Sequence, residues 1–290
     1  MILEKNSKNE NYFVEAKSLV ALFRLNIADR YAFSRMGERV GRQRGSSIDF
    51  QEHRTYFLGD DIRFIDWAAS ARTDQLLLKT FHEEISPILE IYLDCSLSMA
   101  VTSDKWWRSL QVLFFIIELS KSDNCLIKVY LLGVDSKRLH ELHEKAIERI
   151  IPQGVGLECV LKYPIPLQPN AIRIIISDFM IGENLNGVLH ALYKECSMGI
   201  GIRLLDLFEI DPTPIGGFRL TDSENGEEIS LRITQDICDR YKERFEVHTK
   251  RIKDTMSRFN SKLITVDTQK SLKELIMSIH QQTGLVGFRQ

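Results

Sequence analysis

Short, nearly continuous apolar runs alternate along this chain with longer segments whose apolar residues recur every three or four positions. The runs have the length and composition of strands that are covered on both faces, and they lie at Ile88–Leu93, Cys125–Leu132, Ile172–Ile176 and Ile200–Leu207. The segments with helical periodicity lie at Asp104–Ser120, His140–Ile150, Leu185–Cys196, Thr234–Asn260 and Ser271–Gln282. Strands that alternate with helices predict an α/β fold with a doubly wound, mainly parallel sheet.

The first 86 residues follow a different pattern. An amphipathic helix is predicted over Phe13–Phe33, and strand-like segments follow near Ile48–Phe57 and Gln75–Phe81. Trp67 is expected in the core. Because the α/β pattern starts at Pro87, we expect an N-terminal helix-plus-strand arm over residues 1–86 and the α/β domain over residues 87–290.

Composition excludes several classes of protein. The net charge is −2, and no apolar run approaches the ~20 residues that a membrane-spanning helix needs. The N-terminus lacks the apolar region of a signal peptide. The five cysteines are widely spaced and include no Cys-x-x-Cys pair, which argues against a disulfide framework or a zinc site. We therefore expect a cytoplasmic protein without membrane insertion.

Two acidic residues follow apolar strands, and ligands of open parallel sheets bind beyond such strand ends. Asp94 ends the first run, with Ser96 and Ser98 at alternate positions behind it, and Asp178 ends the third. Carboxylate and hydroxyl oxygens are hard donors, which suit Mg²⁺ or, alternatively, Mn²⁺. The sequence thus predicts a metal site at Asp94, Ser96, Ser98 and Asp178. The alternative is that the two carboxylates only accept hydrogen bonds from backbone N–H groups of their own loops.

The residues of the predicted metal site resemble the signature of a known protein family. Asp94-Cys95-Ser96-Leu97-Ser98 matches the Asp-x-Ser-x-Ser signature of von Willebrand factor A domains. The segment from Gly45 to Met99 resembles domain-of-unknown-function family 58. Its matching pieces are Arg54-Thr55-Tyr56, Gly59-Asp60-Asp61-Ile62-Arg63, Ile65-Asp66-Trp67, Ala71-Arg72, Lys79 and Phe81-His82-Glu83-Glu84.

The resemblance implies a von Willebrand factor A-like fold and a role beside MoxR-type AAA+ ATPases in assembling or activating other proteins. The chain would then be a non-enzymatic adaptor that binds the ATPase and a client protein. Its Mg²⁺ site would bind an acidic group of the partner. Such domains usually supply a threonine from a Gly-x-Thr-like loop, and the corresponding loop here, Gly154-Val155-Gly156-Leu157, contains none.

Two other functions remain open from the residues alone. Asp94 could be the nucleophile of a phosphatase-like, metal-dependent hydrolase, although that chemistry normally uses a second Asp two positions later, where Ser96 stands. An arginine cluster could bind phosphates of a nucleic acid. No aromatic residues accompany it as a stacking platform, so we expect no nucleic-acid partner. The cluster consists of Arg35, Arg39, Arg42 and Arg44.

Overall fold

The computed structural model describes residues 7–26, 48–73, 75–83, 87–123, 125–133, 138–139, 144–154, 156–163, 165–212, 215–224 and 226–289. The chain forms two compact units, one of Met1–Ser34 with Pro87–Gln290 and one of Arg35–Ser86. The large unit resumes at Pro87, where the α/β pattern begins in the sequence. It also includes the N-terminal segment, which the sequence assigned to the arm.

Strands and helices are numbered in chain order. The strands are β1 (Phe23–Leu25), β2 (Ile48–Thr55), β3 (Leu77–Glu83), β4 (Ile88–Asp94), β5 (Leu126–Leu132), β6 (Arg138–Leu139), β7 (Ile172–Ser177), β8 (Met198–Leu205), β9 (Gly216–Thr221), β10 (Glu228–Ile233), β11 (Ser261–Asp267) and β12 (Val286–Phe288). The helices are α1 (Ser7–Val20), α2 (Trp67–Thr73), α3 (Ser103–Ser122), α4 (Glu144–Ile147), α5 (Cys159–Lys162), α6 (Leu185–Tyr193), α7 (Leu207–Ile210), α8 (Gln235–Ser257) and α9 (Leu272–Thr283).

The central sheet of the large unit has the strand order β11-β8-β7-β4-β5-β6. The first five strands in this order are parallel, and β6 is antiparallel to β5. Every residue of β7 is buried, as expected for a strand covered on both faces. The predicted doubly wound, mainly parallel α/β fold is confirmed.

Successive residues of each strand point to opposite sides of the sheet. Because the side chains on both sides are mainly apolar, helices cover both faces. Ile91 and Leu93 of β4 belong to a core that includes residues of α1, α3 and α9. Tyr92, between them, belongs to a second core with residues of α5, α6 and α8. The sheet is therefore the middle layer of three.

The strand order reverses at β4. The chain passes from β4 through α3 to β5 on one side, and it later returns to place β7 on the other side of β4. Ligands of doubly wound sheets bind in the crevice outside the carboxyl ends of two such strands. Asp94 ends β4 and Asp178 follows β7, so the fold directs both acids to this crevice.

The N-terminal segment is built into the large unit. Phe13 of α1 is 1% exposed and packs edge-on against Phe114 of α3, with ring centroids 5.1 Å apart. The helix predicted to reach Phe33 ends at Val20, and β1 then pairs antiparallel with β12. Strand pairing thus replaces helix here, and residues 27–33 of the prediction lie outside the described residues.

The small unit contains the antiparallel pair β2–β3 and helix α2. Asp66 caps α2, since its Oδ1 accepts a hydrogen bond from the Ala69 N–H at 3.0 Å. Trp67 is 68% exposed, so its prediction as a core residue is wrong. The buried residues of this short helix are Ala69 and Ser70. The arginine cluster lies outside the described residues.

The predicted strands and long helices of the α/β domain are present, with ends shifted by a few residues. The helix predicted over residues 140–150 is reduced to α4 in its described part, and residues 140–143 lie outside it. Helix α6 ends at Tyr193, before the predicted Cys196, because Lys194 adopts an extended conformation with ψ 141. The predicted hairpin is formed by β9 and β10.

Candidate metal site

Asp94 is the last residue of β4 and is 2% exposed. Its Oδ1 accepts a hydrogen bond from the Ser96 backbone N–H at 3.0 Å, and its Oδ2 accepts one from Ser177 Oγ at 2.6 Å. Ser177 ends β7, so both strands that flank the crevice fix this carboxylate. Burial first, and the charge of Asp178 second, raise the pKa of Asp94 from its ordinary 3.8 to about 6.

The hydroxyls of Ser96 and Ser98 lie side by side, with their Oγ atoms 2.9 Å apart. The Cys95 N–H donates to the Leu132 carbonyl at 2.9 Å, which continues the pairing of β4 with β5 for one more residue. A 3-10 turn over Leu97–Ala100 then redirects the chain. The structure therefore brings together the three oxygen-bearing side chains of the Asp-x-Ser-x-Ser motif, as their spacing predicts.

Asp178 follows β7 directly and is 2% exposed. Its Oδ1 accepts a hydrogen bond from the Met180 N–H at 3.0 Å, and its Oδ2 accepts one from Lys105 Nζ, also at 3.0 Å. Arg203 of β8 donates from Nε to the Asp178 carbonyl at 2.8 Å. Phe179 has φ 54, a left-handed conformation that is uncommon for a bulky residue, so the chain bends immediately after the carboxylate.

Lys105 places a positive charge inside the site. Its side chain is 0% exposed, and its Nζ lies 3.0 Å from Asp178 Oδ2, 2.7 Å from Glu209 Oε1 and 3.0 Å from the Ser98 carbonyl oxygen. Three oxygen partners match the three N–H donors of an ammonium group. Thr102 caps the start of α3 by accepting from the Lys105 N–H, which fixes where the lysine leaves the helix.

The loop that should supply a threonine lies against the motif. The Gln153 N–H donates to the Cys95 carbonyl at 2.6 Å. A Cβ placed on Gly156 would lie 3.6 Å from Ser96 Cβ and 3.9 Å from Ser96 Oγ. The loop thus occupies the predicted position, but glycine stands beside Ser96 and offers no hydroxyl. Val155 lies outside the described residues.

Sequence reasoning missed four residues of this site: Lys105, Ser177, Glu209 and Glu224. Glu224, in the turn between β9 and β10, accepts a hydrogen bond from the Ser98 N–H at 2.9 Å. Only Ser177 carried a usable signal, because it precedes Asp178 at a strand end. Lys105, Glu209 and Glu224 could not be identified from sequence, because their partners lie from 73 to 126 positions away in the chain. In the sequence they look the same as charged residues exposed to solvent.

The donor set fits a hard cation. Asp94 supplies a carboxylate, and Ser96 and Ser98 supply hydroxyls within hydrogen-bond distance of each other. Within the described ranges, no three or more His, Cys, Asp or Glu side chains form a group that could hold a metal ion. A bound metal ion would therefore need the hydroxyl oxygens of the two serines as ligands. Asp94 and Asp178 also accept hydrogen bonds from backbone N–H groups of their own loops, as the alternative interpretation predicts.

Exposed apolar side chains occur in the loops that carry the site. They come from the 3-10 turn and the residue after it, from the segment after β7 and from α7, and their exposed fractions range from 37% to 53%. These residues are Leu97, Val101, Met180, Leu207 and Phe208. Apolar side chains around a polar centre are typical of a protein-binding surface.

Residues 52–117 match the family described as "Protein of unknown function DUF58". The chain is similar to the conserved hypothetical protein BatB from Bacteroides thetaiotaomicron, at 15% identity and TM-score 0.36, over 68% of this chain and 98% of that one. It is also similar to an aerotolerance-related membrane protein from Bacteroides fragilis with multiple mutations to serines, at 15% identity and TM-score 0.39, over 68% and 100%. No curated protein sequence matches. Among the described helices, none has the length and apolar character to span a membrane.

Proposed function

Because residues 52–117 match the DUF58 family, we propose that this chain is a non-enzymatic, co-chaperone-like adaptor. It binds partner proteins through a magnesium-dependent adhesion site. Its partners are a MoxR-type AAA+ ATPase and a client protein whose assembly or activation the pair assists. The family resemblance supplies the class of partner, and the site geometry supports the mode of binding.

The observation that carries this proposal is the juxtaposition of one carboxylate and two hydroxyls at the reversal point of the sheet. Asp94, Ser96, Ser98 and Asp178 would hold the ion, which prefers such hard oxygen donors. When bound, Mg²⁺ supplies an electrophilic centre for a carboxylate of the partner. Few formal charges among the ligands leave that centre attractive to an acidic group.

In this proposal Asp178 is the fourth ligand, and Lys105 has a positioning role. The ammonium of Lys105 pairs with Asp178 and Glu209, which uses two of its three N–H donors. Its contact with the Ser98 carbonyl fixes the turn that carries the second hydroxyl. The exposed apolar residues around the site would add contact area to the single polar anchor.

A capture experiment tests the proposal. The tagged full chain is incubated with lysate of the source organism in Mg²⁺ or in EDTA, and captured proteins are identified by mass spectrometry. Asp94→Asn removes the ligand charge with little change in shape. Asp267→Asn is the matched control, because Asp267 ends β11 and accepts a hydrogen bond from the Gln269 N–H at 2.9 Å.

We expect a MoxR-type AAA+ ATPase to be captured by the wild type and by Asp267→Asn in Mg²⁺ only, and not by Asp94→Asn. Capture that ignores both Mg²⁺ and Asp94 would keep the adaptor role and discard the metal. The same preparations are assayed with p-nitrophenyl phosphate. Turnover that Asp94→Asn abolishes would favour the phosphatase alternative and contradict the adaptor role.

A further inference from the structure

The hairpin of β9 and β10 has no part in the function proposed above. In the described structure its two strands pair only with each other, from Gly216↔Ile233 to Thr221↔Glu228. Most of its residues are exposed, including every residue of β9 after Gly216. Little packing therefore holds the hairpin in place, which is typical of elements that open locally at low cost.

Hydrogen bonds link the described residues of this turn and position Glu224. The Asp222 N–H donates to the Glu227 carbonyl at 2.8 Å, and the Gly226 N–H donates to the Asp222 carbonyl at 3.0 Å. Asp222 Oδ1 in turn accepts from the Glu224 N–H at 2.7 Å. Gly226 has φ 74, the left-handed conformation that glycine adopts most easily. These hydrogen bonds hold the backbone from which the Glu224 side chain extends.

The side chain of Glu224 reaches the candidate metal site. Its Oε1 accepts a hydrogen bond from the Ser98 N–H at 2.9 Å, across 126 positions of sequence. Ser98 Oγ is itself 2.9 Å from Ser96 Oγ, so a carboxylate of the chain's own hairpin stands next to the donor set. Hydrogen bonds between an ionised carboxylate and a backbone N–H are among the stronger ones in proteins.

We infer that Glu224 is an internal acidic ligand: the hairpin tip occupies the place of a partner's carboxylate, and the partner must displace it. This inference rests on the proposed adhesion function. Two observations favour it: the carboxylate accepts a hydrogen bond from the Ser98 N–H, and most of the hairpin is exposed. A tethered ligand competes at an effective concentration of roughly millimolar. It therefore prevents the binding of low-affinity partners, and high-affinity partners displace it.

A purely structural role for Glu224 makes a different prediction. If Glu224 only satisfies the Ser98 N–H, glutamine can replace it, because the amide oxygen of glutamine is also an acceptor. If Glu224 occupies the place of a partner's carboxylate through its negative charge, Glu224→Gln and Glu224→Ala should increase the affinity for an acidic peptide equally. Glu228→Ala is the matched control, since Glu228 lies in the same hairpin and pairs with Arg219 at 3.6 Å.

The probe for this test is a fluorescent peptide with the sequence of residues 221–228, Thr-Asp-Ser-Glu-Asn-Gly-Glu-Glu. Its binding to the full chain in Mg²⁺ is followed by fluorescence anisotropy. We expect Glu224→Ala and Glu224→Gln to bind it about tenfold more tightly than the wild type or Glu228→Ala. Equal affinity in all four proteins would overturn the internal ligand and leave the adhesion site intact. Peptide binding by none of them would overturn both.

Hydrogen exchange tests the contact itself without metal or peptide. In EDTA, Glu224→Ala should exchange faster than the wild type in peptides that cover residues 97–101 and 222–227, and Glu228→Ala should not. Unchanged exchange in Glu224→Ala would overturn the inference whether or not the site binds Mg²⁺. Because this measurement needs no metal, it separates failure of the internal ligand from failure of the proposed function.

Discussion

Asp94 is a buried carboxylate beside a second one, and this combination has a measurable consequence. Burial and the neighbouring charge of Asp178 hold its pKa near 6, above its ordinary 3.8. The folded protein therefore binds this proton more tightly than the unfolded chain does. Its contribution to stability is fully present below about pH 4 and is lost as the pH rises through 6.

We predict that, in EDTA, the free energy of unfolding of the wild type falls relative to Asp94→Asn between pH 4.5 and 7.5. The difference should be on the order of 2 kcal/mol. Urea denaturation at several pH values measures it, and the comparison with Asp94→Asn removes the contribution of other titrating groups. Parallel pH profiles of the two proteins would contradict the raised pKa.

At the residue scale, sequence spacing predicted the parts of the site that lie close together in the chain. Asp94, Ser96 and Ser98 are two positions apart, and Asp178 is marked by the end of an apolar strand. Lys105 could not be identified in this way. A lysine in the first turn of a helix has the same appearance whether its ammonium is solvated or fully buried between two carboxylates, as it is here.

At the element scale, β4 and β7 carry an ion pair inside the sheet. Arg173 Nε donates to Glu90 Oε2 at 2.9 Å, and both side chains are 0% exposed. Arg173 also donates to the carbonyls of Leu192, Lys194 and Gln168, which joins the end of α6 to the sheet. The pair interrupts two apolar strands, and strand periodicity gave no indication that it exists.

We predict that Arg173→Met lowers the free energy of unfolding by about 3–5 kcal/mol, because Glu90 is left buried without its counter-ion. Adding Glu90→Leu should recover part of the loss, since removing both charges avoids the unpaired carboxylate. Chemical denaturation of both single variants and the double variant measures this. Losses that simply add would show that the two charges are not coupled in the folded protein.

Long periodic elements were predictable and short ones were not. β4, β7 and α8 have patterns that extend over six or more residues. β1 and β12 have only three residues each, which is too short for a period to show, and they are strands because they pair with each other. The first helix was predicted too long because its apolar residues continue into β1, where the pairing partner decides the structure.

At the scale of the whole molecule, the N-terminal segment contributes to the large unit. Phe13, Ala16 and Leu19 of α1 belong to the same core as residues of α3 and α9. Gln111 Nε2 also donates to the Tyr12 carbonyl at 2.7 Å. Sequence could not assign α1 to this unit, because an amphipathic helix shows that one face is covered and does not show by what.

We predict that Phe13→Ala lowers the free energy of unfolding by about 3–5 kcal/mol, the usual cost of removing a buried phenyl ring. Val14→Ala, on the adjacent and 62% exposed residue, should change it by less than about 0.5 kcal/mol. Thermal or chemical unfolding of the full chain measures both. Equal effects would contradict the packing of α1 on the large unit.

Calorimetric titration of Mg²⁺ into the full chain at pH 7.5 measures whether Asp94, Ser96, Ser98 and Asp178 hold a divalent cation. We predict one binding site in the wild type and in Asp267→Asn, and none in Asp94→Asn. Titration curves that are the same for the wild type and Asp94→Asn would contradict it. They would leave Asp94 as a carboxylate that only stabilises the turn after β4.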